Sequence, residues 1–259
     1  MQPSSSEQSR DLAFRLRRRL VKLGKKARPW TNARIAAGSL VGDHAIFPRD
    51  TFPWIAELES EWKRFRDEAA GVLAERGSVP PLRRISVDHE RIAPGDAWRS
   101  YFLYGYGYRR DAACACCPET ARAVERIPGL ESAFFSILAP GAALKPHKGP
   151  TKALLTCHVP LWVPEERGRC YIEVDGQRHV WKPGEVFLFD DTCRHEVRND
   201  TDQERVVLLI HVRRPTTGLG RVVSTSFLQL IKWSPFVREA RRSLDAWDAA
   251  HPADAPRHS

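Results

Sequence analysis

The runs Pro146-His147-Lys148-Gly149-Pro150-Thr151 and Phe189-Asp190-Asp191-Thr192-Cys193-Arg194-His195-Glu196-Val197 bracket the part of this 259-residue chain whose reading decides the fold. Around and between them lie short segments rich in β-branched and aromatic residues, cut by Pro, Gly and Asp-Gly, which is the pattern of successive antiparallel strands. Strands are predicted at Ala133 to Leu138, Ala153 to Leu161, Arg169 to Val174, Arg178 to Trp181, Val186 to Phe189 and Arg205 to Val212. Asp175-Gly176 reads as a hairpin turn and Lys182-Pro183-Gly184-Glu185 as a second turn. Ser136 to Arg213 therefore predicts one β-barrel or sandwich.

In such a fold a strand that leaves the mouth returns to it a few strands later, so His147 and His195 can meet. Neutral imidazole is the commonest protein ligand for iron, zinc or copper. An arbitrary pair of histidines is more often an ordinary surface or core pair. Here His147 stands between a proline and a Gly-Pro turn, and His195 follows an acidic pair. The usual non-haem iron site adds one carboxylate to two histidines. In the common H-x-D form it lies two residues after the first histidine, where this chain has Gly149.

Working outward, a mass of 29.4 kDa with 42% hydrophobic residues suits one domain with extensions, and no run approaches the length of a membrane span. The start, Met1 to Glu7, is polar and has no apolar h-region, so the expected location is cytoplasmic, either free or peripheral to the inner face of the membrane. Cys114, Cys116, Cys117, Cys157, Cys170 and Cys193 fit no small disulfide scaffold and are expected to be thiols. Cys114 and Cys117 form a C-x-x-C without the second pair a structural zinc site needs, so they read as packed thiols.

The formal charge of +9 is concentrated near the N-terminus, in Arg15, Arg17, Arg18, Arg19, Lys22, Lys25 and Lys26. Leu12, Leu16, Leu20 and Leu23 recur there at helical spacing, predicting a basic amphipathic helix that either lies on anionic lipid or docks on its own domain. No nucleic-acid-binding signature accompanies it. Trp54, Leu58, Trp62, Phe65, Ala69 and Val72 predict a helix laid against the barrel. Trp98 to Gly107 reads as a strand and turn, and Pro118 opens a helix over Glu119 to Ile127. Phe227 to Val237 reads as an apolar, kinked helical tail that covers a barrel edge or touches a membrane. The expected organisation is an extension over 1–50, a domain over 51–215 and a helical tail over 216–259.

Ser136-Ile137-Leu138-Ala139-Pro140-Gly141, Pro146 to Thr151, Phe189-Asp190-Asp191, His195-Glu196-Val197 and Arg205 resemble the aspartyl/asparaginyl β-hydroxylase family. Phe102 to Gly107, Cys117-Pro118-Glu119-Thr120 and Trp233-Ser234-Pro235-Phe236-Val237 look like its bacterial members, so the resemblance covers roughly Phe52 to Arg242. It implies a mainly β protein with flanking helices, a double-stranded β-helix (jelly-roll, cupin-like) barrel that uses Fe(II), O2 and 2-oxoglutarate. It also implies iron held by His147 and His195 alone, with glycine where other oxygenases place aspartate. Asp191 is the candidate to hold an iron-bound water, as outer carboxylates do in metal sites generally. Ser136, His158 and Arg205 match the residues that bind 2-oxoglutarate. Thr156 stands where the family usually has arginine, and Arg198, where the family commonly has tryptophan, is the candidate to compensate.

The leading expectation is hydroxylation of an unactivated C–H bond in an Asp/Asn-type substrate, peptidyl or small and carboxylate-bearing. The alternatives are hydroxylation of a lipid acyl chain at a membrane surface, halogenation with chloride in the place Gly149 leaves open, and a non-catalytic cupin-like binding module.

Overall fold

The computed structural model describes residues 26–74, 79–85, 90–93 and 95–251. The predicted basic helix over Arg10 to Arg28 lies almost wholly outside them. In chain order the elements are a helix α1 over 26–37, strand β1 (Ile46–Phe47), helices α2 (Trp54–Ala74) and α3 (Leu82–Ile85), and strands β2 (Trp98–Gly105) and β3 (Tyr108–Arg109). Helices α4 (Asp111–Cys116) and α5 (Pro118–Glu125) lead into β4 (Leu130–Leu138), β5 (Ala143–His147), β6 (Leu154–Trp162), β7 (Cys170–Val174) and β8 (Gln177–His179). Then come β9 (Phe187–Phe189), β10 (His195–Asn199), β11 (Arg205–Arg213), α6 (Gly218–Lys232) and α7 (Pro235–Ala250).

The strands form two antiparallel sheets, a larger one in the order β1-β9-β6-β11-β4-β2-β3 and a smaller one in the order β5-β10-β7-β8. From β4 to β11 the chain alternates between them: β4, β6, β9 and β11 lie in the large sheet, and β5, β7, β8 and β10 in the small one. That alternation defines a double-stranded β-helix, the jelly-roll arrangement. The hydrogen-bonded ladders stay in two separate sheets, so of the barrel or sandwich expected from sequence the structure is a sandwich with open edges.

The central strands of the large sheet are covered on both sides and read as nearly continuous buried runs. Side chains alternate across a strand. Phe135 and Ile137 of β4, Leu155, Cys157 and Val159 of β6, and Leu208 and Ile210 of β11 join one core cluster with Ile55, Leu58 and Phe65 of α2 and Val124 of α5. The opposite parity of the same strands faces the small sheet, where Leu138, Phe187 and Phe189 pack with Ile172, Val174, Trp181 and Val197. Helix α2 carries the predicted stripe, with Trp54, Leu58, Phe65, Ala69 and Val72 buried.

The hairpin β7–β8 turns at Asp175 (φ 51°) and Gly176 (φ 78°), the paired positive φ values of a tight type I′ connection. Helix α4 was not foreseen. It carries Cys114, which packs in the core together with Cys117 at the helix end, and both are free thiols. The kinked tail resolves into two helices. Helix α6 starts well before Phe227 and stops at Trp233, and Ser234 then caps α7 by accepting from the Val237 N–H at 3.3 Å, with Pro235 in the first turn.

Candidate active site

The two histidines meet. His147 ends β5, His195 begins β10, and the two are paired residues of the antiparallel ladder. Their ring centroids are 4.1 Å apart. A β-bulge makes this possible. Leu144 pairs with Val197 and His147 with His195, so two residues of β5, Lys145 and Pro146, oppose the single Glu196 of β10. The extra residue, in Lys145-Pro146, brings His147 to the same inner face as Leu144, which strict alternation would forbid. Proline is tolerated there because β5 is an edge strand.

Each ring is fixed by the same device. His147 Nδ1 lies 2.7 Å from the Lys145 carbonyl, and His195 Nδ1 lies 3.0 Å from the Cys193 carbonyl. A carbonyl can only accept, so Nδ1 carries the proton of each neutral imidazole and Nε2 keeps its lone pair for a metal. Burial lowers the pKa of His147, and burial with the neighbouring His147 lowers that of His195 to about 4, so both are neutral at pH 7. Among the described residues no group of three or more His, Cys, Asp and Glu side chains is arranged to hold a metal. The donor set is therefore a pair of imidazoles.

Gly149 explains the missing carboxylate sterically. A Cβ on Gly149 would stand 2.0 Å from the Asp191 Cγ and Oδ1, and the Gly149 N–H donates to the Asp191 carbonyl at 2.6 Å. Asp191 thus fills the space that a side chain at 149 would need. Its Oδ1 is buried and makes no hydrogen bond, and burial, with the charge of Asp190 second, raises its pKa to about 7.

Asp190 holds this turn. Its fully buried carboxylate accepts from Lys152 Nζ at 2.8 Å, from the buried Arg214 at 2.5 Å, and from the Thr192 N–H and hydroxyl at 2.9 and 2.6 Å. Arg214 also donates to the carbonyls of Lys152 and Gly42, both at 2.8 Å. From α1, Arg28 donates to the Gly149 carbonyl. Lys152, Arg214, Asp190 and Arg28 were missed by sequence reasoning. Asp190-Asp191-Thr192 is a turn signature that hinted at the first shared anchor, but nothing local marks the distant cations.

A second group faces the same cavity from the large sheet: Ser136 of β4, Thr156 and His158 of β6, and Arg205 of β11. Arg205 is almost fully buried, with its guanidinium 4.9 Å from the Trp181 ring and a 3.4 Å contact from Nη1 to the Ser136 carbonyl. Its Nε has no partner, and burial lowers its pKa to about 10 with no carboxylate among the described residues to offset the effect. Ser136 Oγ accepts from Trp98 Nε1 at 2.9 Å, which leaves its own proton free to donate. His158 Nδ1 and Thr156 Oγ1 are also buried without hydrogen-bond partners. Burial and the Arg205 charge push His158 well below its ordinary range.

Unpaired donors beside a buried guanidinium fit an anionic ligand, because a guanidinium grips a carboxylate through parallel hydrogen bonds. Arg198 does not join them. His195 and Val197 of β10 point inward, so Arg198 points out and lies 3.6 Å from Glu196 on the outer face. The arginine absent at Thr156 is not replaced from that position.

The cavity that holds both groups has a volume of about 440 Å³ and runs outward between β2, the α3 region and α7. Jelly-roll sheets, an imidazole pair with free Nε2 atoms and an unpaired guanidinium around one cavity define a candidate metal and carboxylate site. The chain belongs to the aspartyl/asparaginyl β-hydroxylase family, whose model matches residues 59–215. An ornithine lipid ester-linked acyl 2-hydroxylase of Rhizobium tropici is 34% identical over 226 residues, covering 87% of this chain and 80% of that one. The human aspartyl/asparaginyl β-hydroxylase is 28% identical over 200 residues, 74% of this chain but 23% of that protein. A prolyl-4-hydroxylase structure from Pseudomonas putida aligns with a TM-score of 0.38 at 19% identity, covering 62% of this chain and 99% of that one.

Proposed function

We propose that this protein is an Fe(II)- and 2-oxoglutarate-dependent dioxygenase that hydroxylates a lipid acyl chain. The observation that carries the substrate is the wall of the cavity. Away from the histidines it is lined by Leu82, Ile85, Phe102, Phe236, Val237 and Leu244, an apolar path suited to a hydrocarbon chain. At its outer end Arg109 is engaged by Glu125 at 3.0 Å and by Asp111, and Arg110 by Asp248, so these guanidiniums are not free for an aspartyl carboxylate. The Rhizobium tropici relative, which acts on an ester-linked acyl chain by its name, supports the same reading. The Asp/Asn-type substrate suggested by the family at large becomes the alternative outcome of the test.

In this reading His147 and His195 would hold the iron through Nε2, Arg205 and Ser136 would bind the distal carboxylate of 2-oxoglutarate, and His158 and Thr156 would line its bed. Bound iron with 2-oxoglutarate supplies the activation of O2 that an unactivated C–H bond requires. The protein contributes placement and dryness. Backbone carbonyls lock both imidazole tautomers. The carboxylate of Asp191, packed against Gly149, would hold a water beside the metal. The apolar wall excludes solvent from the reacting carbon.

Incubation with Fe(II), 2-oxoglutarate, O2 and an ornithine lipid should give a lipid product heavier by one oxygen atom, with equimolar succinate. Oxygen insertion into an Asp-containing peptide with the lipid untouched would replace the substrate assignment. Absence of iron-dependent succinate with either would remove the dioxygenase assignment.

A further inference from the structure

Among the described residues, the large apolar side chains left in solvent lie on two stretches of chain that pack together. They are Trp30 (53% exposed), Leu40 (67%), Leu219 (55%), Val222 (61%), Leu230 (67%) and Trp233 (73%), all on α1, on α6 or directly beside them. The two helices touch at backbone distance. A Cβ on Gly220 would lie 2.8 Å from the Arg34 carbonyl and 3.0 Å from the Gly38 Cα, and Ile35 packs with Leu228 and Val223. At 100° per residue Leu219, Val222, Leu230 and Trp233 fall within an arc of about 80°, while buried Gly220, Ser224 and Leu228 lie on the opposite side. A coherent apolar stripe on the outside of a folded domain marks a contact surface.

Charge selects the occupant. Residues 26–40 contain Lys26, Arg28 and Arg34 and no Asp or Glu, and residues 214–238 contain Arg214, Arg221, Lys232 and Arg238 and again no acid. Lys26, Arg34, Arg221 and Arg238 are exposed. The sequence entering α1 adds Arg15, Arg17, Arg18, Arg19, Lys22 and Lys25. An apolar stripe on two segments that carry basic and no acidic residues matches the interfacial zone of an anionic bilayer, with tryptophan at its edge. Among the described residues no helix is long and apolar enough to cross a membrane, so the contact would be peripheral.

We infer that the α1–α6 face docks on an anionic lipid leaflet, inserting Leu219, Val222, Leu230 and Trp233. The stripe ends three residues before Phe236, and Tyr106, which packs in the α1–α6 cluster, also lines the cavity, so docking would set the cavity wall at the lipid surface. The inference stands on the surface itself and holds whatever the cavity hydroxylates.

The test is flotation of the full-length, metal-free chain with vesicles of phosphatidylglycerol and phosphatidylcholine, compared with phosphatidylcholine alone. Wild type should partition into the anionic vesicles, and the combined Leu219→Ser, Val222→Ser, Leu230→Ser and Trp233→Ser variant should partition at least tenfold less with an unchanged circular dichroism spectrum. Independently of that variant's folding, Trp233→Phe should lose a share of the fluorescence quenching that brominated lipids cause in wild type. Equal partitioning of wild type and variant, no binding by wild type, or quenching unchanged in Trp233→Phe would overturn the inference. So would a wild-type dimer in light scattering that the variant splits, because a second copy would then cover the stripe. Because vesicle binding needs neither metal nor substrate, its failure is distinct from failure of the hydroxylase reading.

Discussion

The two faces of the large sheet are built from the same strands and do opposite work. On the helix side, Phe135, Ile137, Leu155, Val159, Leu208 and Ile210 form an unbroken apolar layer. On the inner side, one residue along each strand, the apolar layer is interrupted by Ser136, Thr156, His158 and Arg205, several with buried polar atoms that no hydrogen bond satisfies. Burying an unpaired polar group costs stability. The helix side therefore holds the fold, while the inner side gives up stability to keep donors ready for a ligand.

The comparison breaks if substitutions on the two sides behave alike. The largest effect is expected from Phe135→Ala on the helix side, where a fully buried ring in the core is lost. Equilibrium unfolding should show a loss of about 3–5 kcal/mol, with 2-oxoglutarate affinity retained in the folded protein. Arg205→Met, from the same sheet, should separate the two properties in the opposite direction. Replacing a buried, unpaired charge with an apolar side chain of similar length should leave the apo protein as stable as wild type or more so. Anaerobic titration of the Fe(II) protein, followed by its visible metal-to-ligand charge-transfer band, should show 2-oxoglutarate binding weakened about 100-fold, or about 2.7 kcal/mol. A variant that lost stability and kept its affinity would make Arg205 a structural residue and erase the distinction between the faces.

The same contrast explains what the sequence disclosed. The long central strands were legible because residues of both parities are buried, and the result is conspicuous runs such as Leu154 to Trp162. The strands that carry the two histidines were not. β5 holds a proline and a bulge, β10 is the polar run His-Glu-Val-Arg-Asn, and neither shows the alternation that marks a strand. Their histidines were found by motif, and without the strand the inward parity of His195 and Val197 was hidden, so Arg198 stood as a candidate to compensate at Thr156 although it points outward. Asp191 was legible as part of a motif, but its packing against Gly149 is a three-dimensional fact. Arg28 reaches the Gly149 carbonyl across 121 positions of sequence, and such a contact leaves no local trace.

The smallest expected effect sharpens the contrast through pH. His158 is buried and its pKa lies well below the ordinary 6.5, because burial and the Arg205 charge both disfavour the imidazolium. In the unfolded chain the same imidazole takes up a proton below pH 6.5, so the unfolded state binds more protons there and stability falls as pH falls. The contribution is fully present above pH 6.5 and is lost on the way down to the folded-state pKa, at up to about 1.4 kcal/mol for each pH unit. Asp191 acts in the opposite sense. Its pKa is raised from 3.8 to about 7, so its share of stability is present at low pH and lost as pH rises through about 7. His158→Asn removes the first titration and leaves the second. Urea unfolding of the metal-free protein between pH 6.5 and 5 should therefore show a shallower loss of stability in the variant, by about 1.4 kcal/mol per unit at most. Identical slopes would mean that His158 is protonated in the folded protein, and the inner face would then carry one more buried charge than its geometry accommodates.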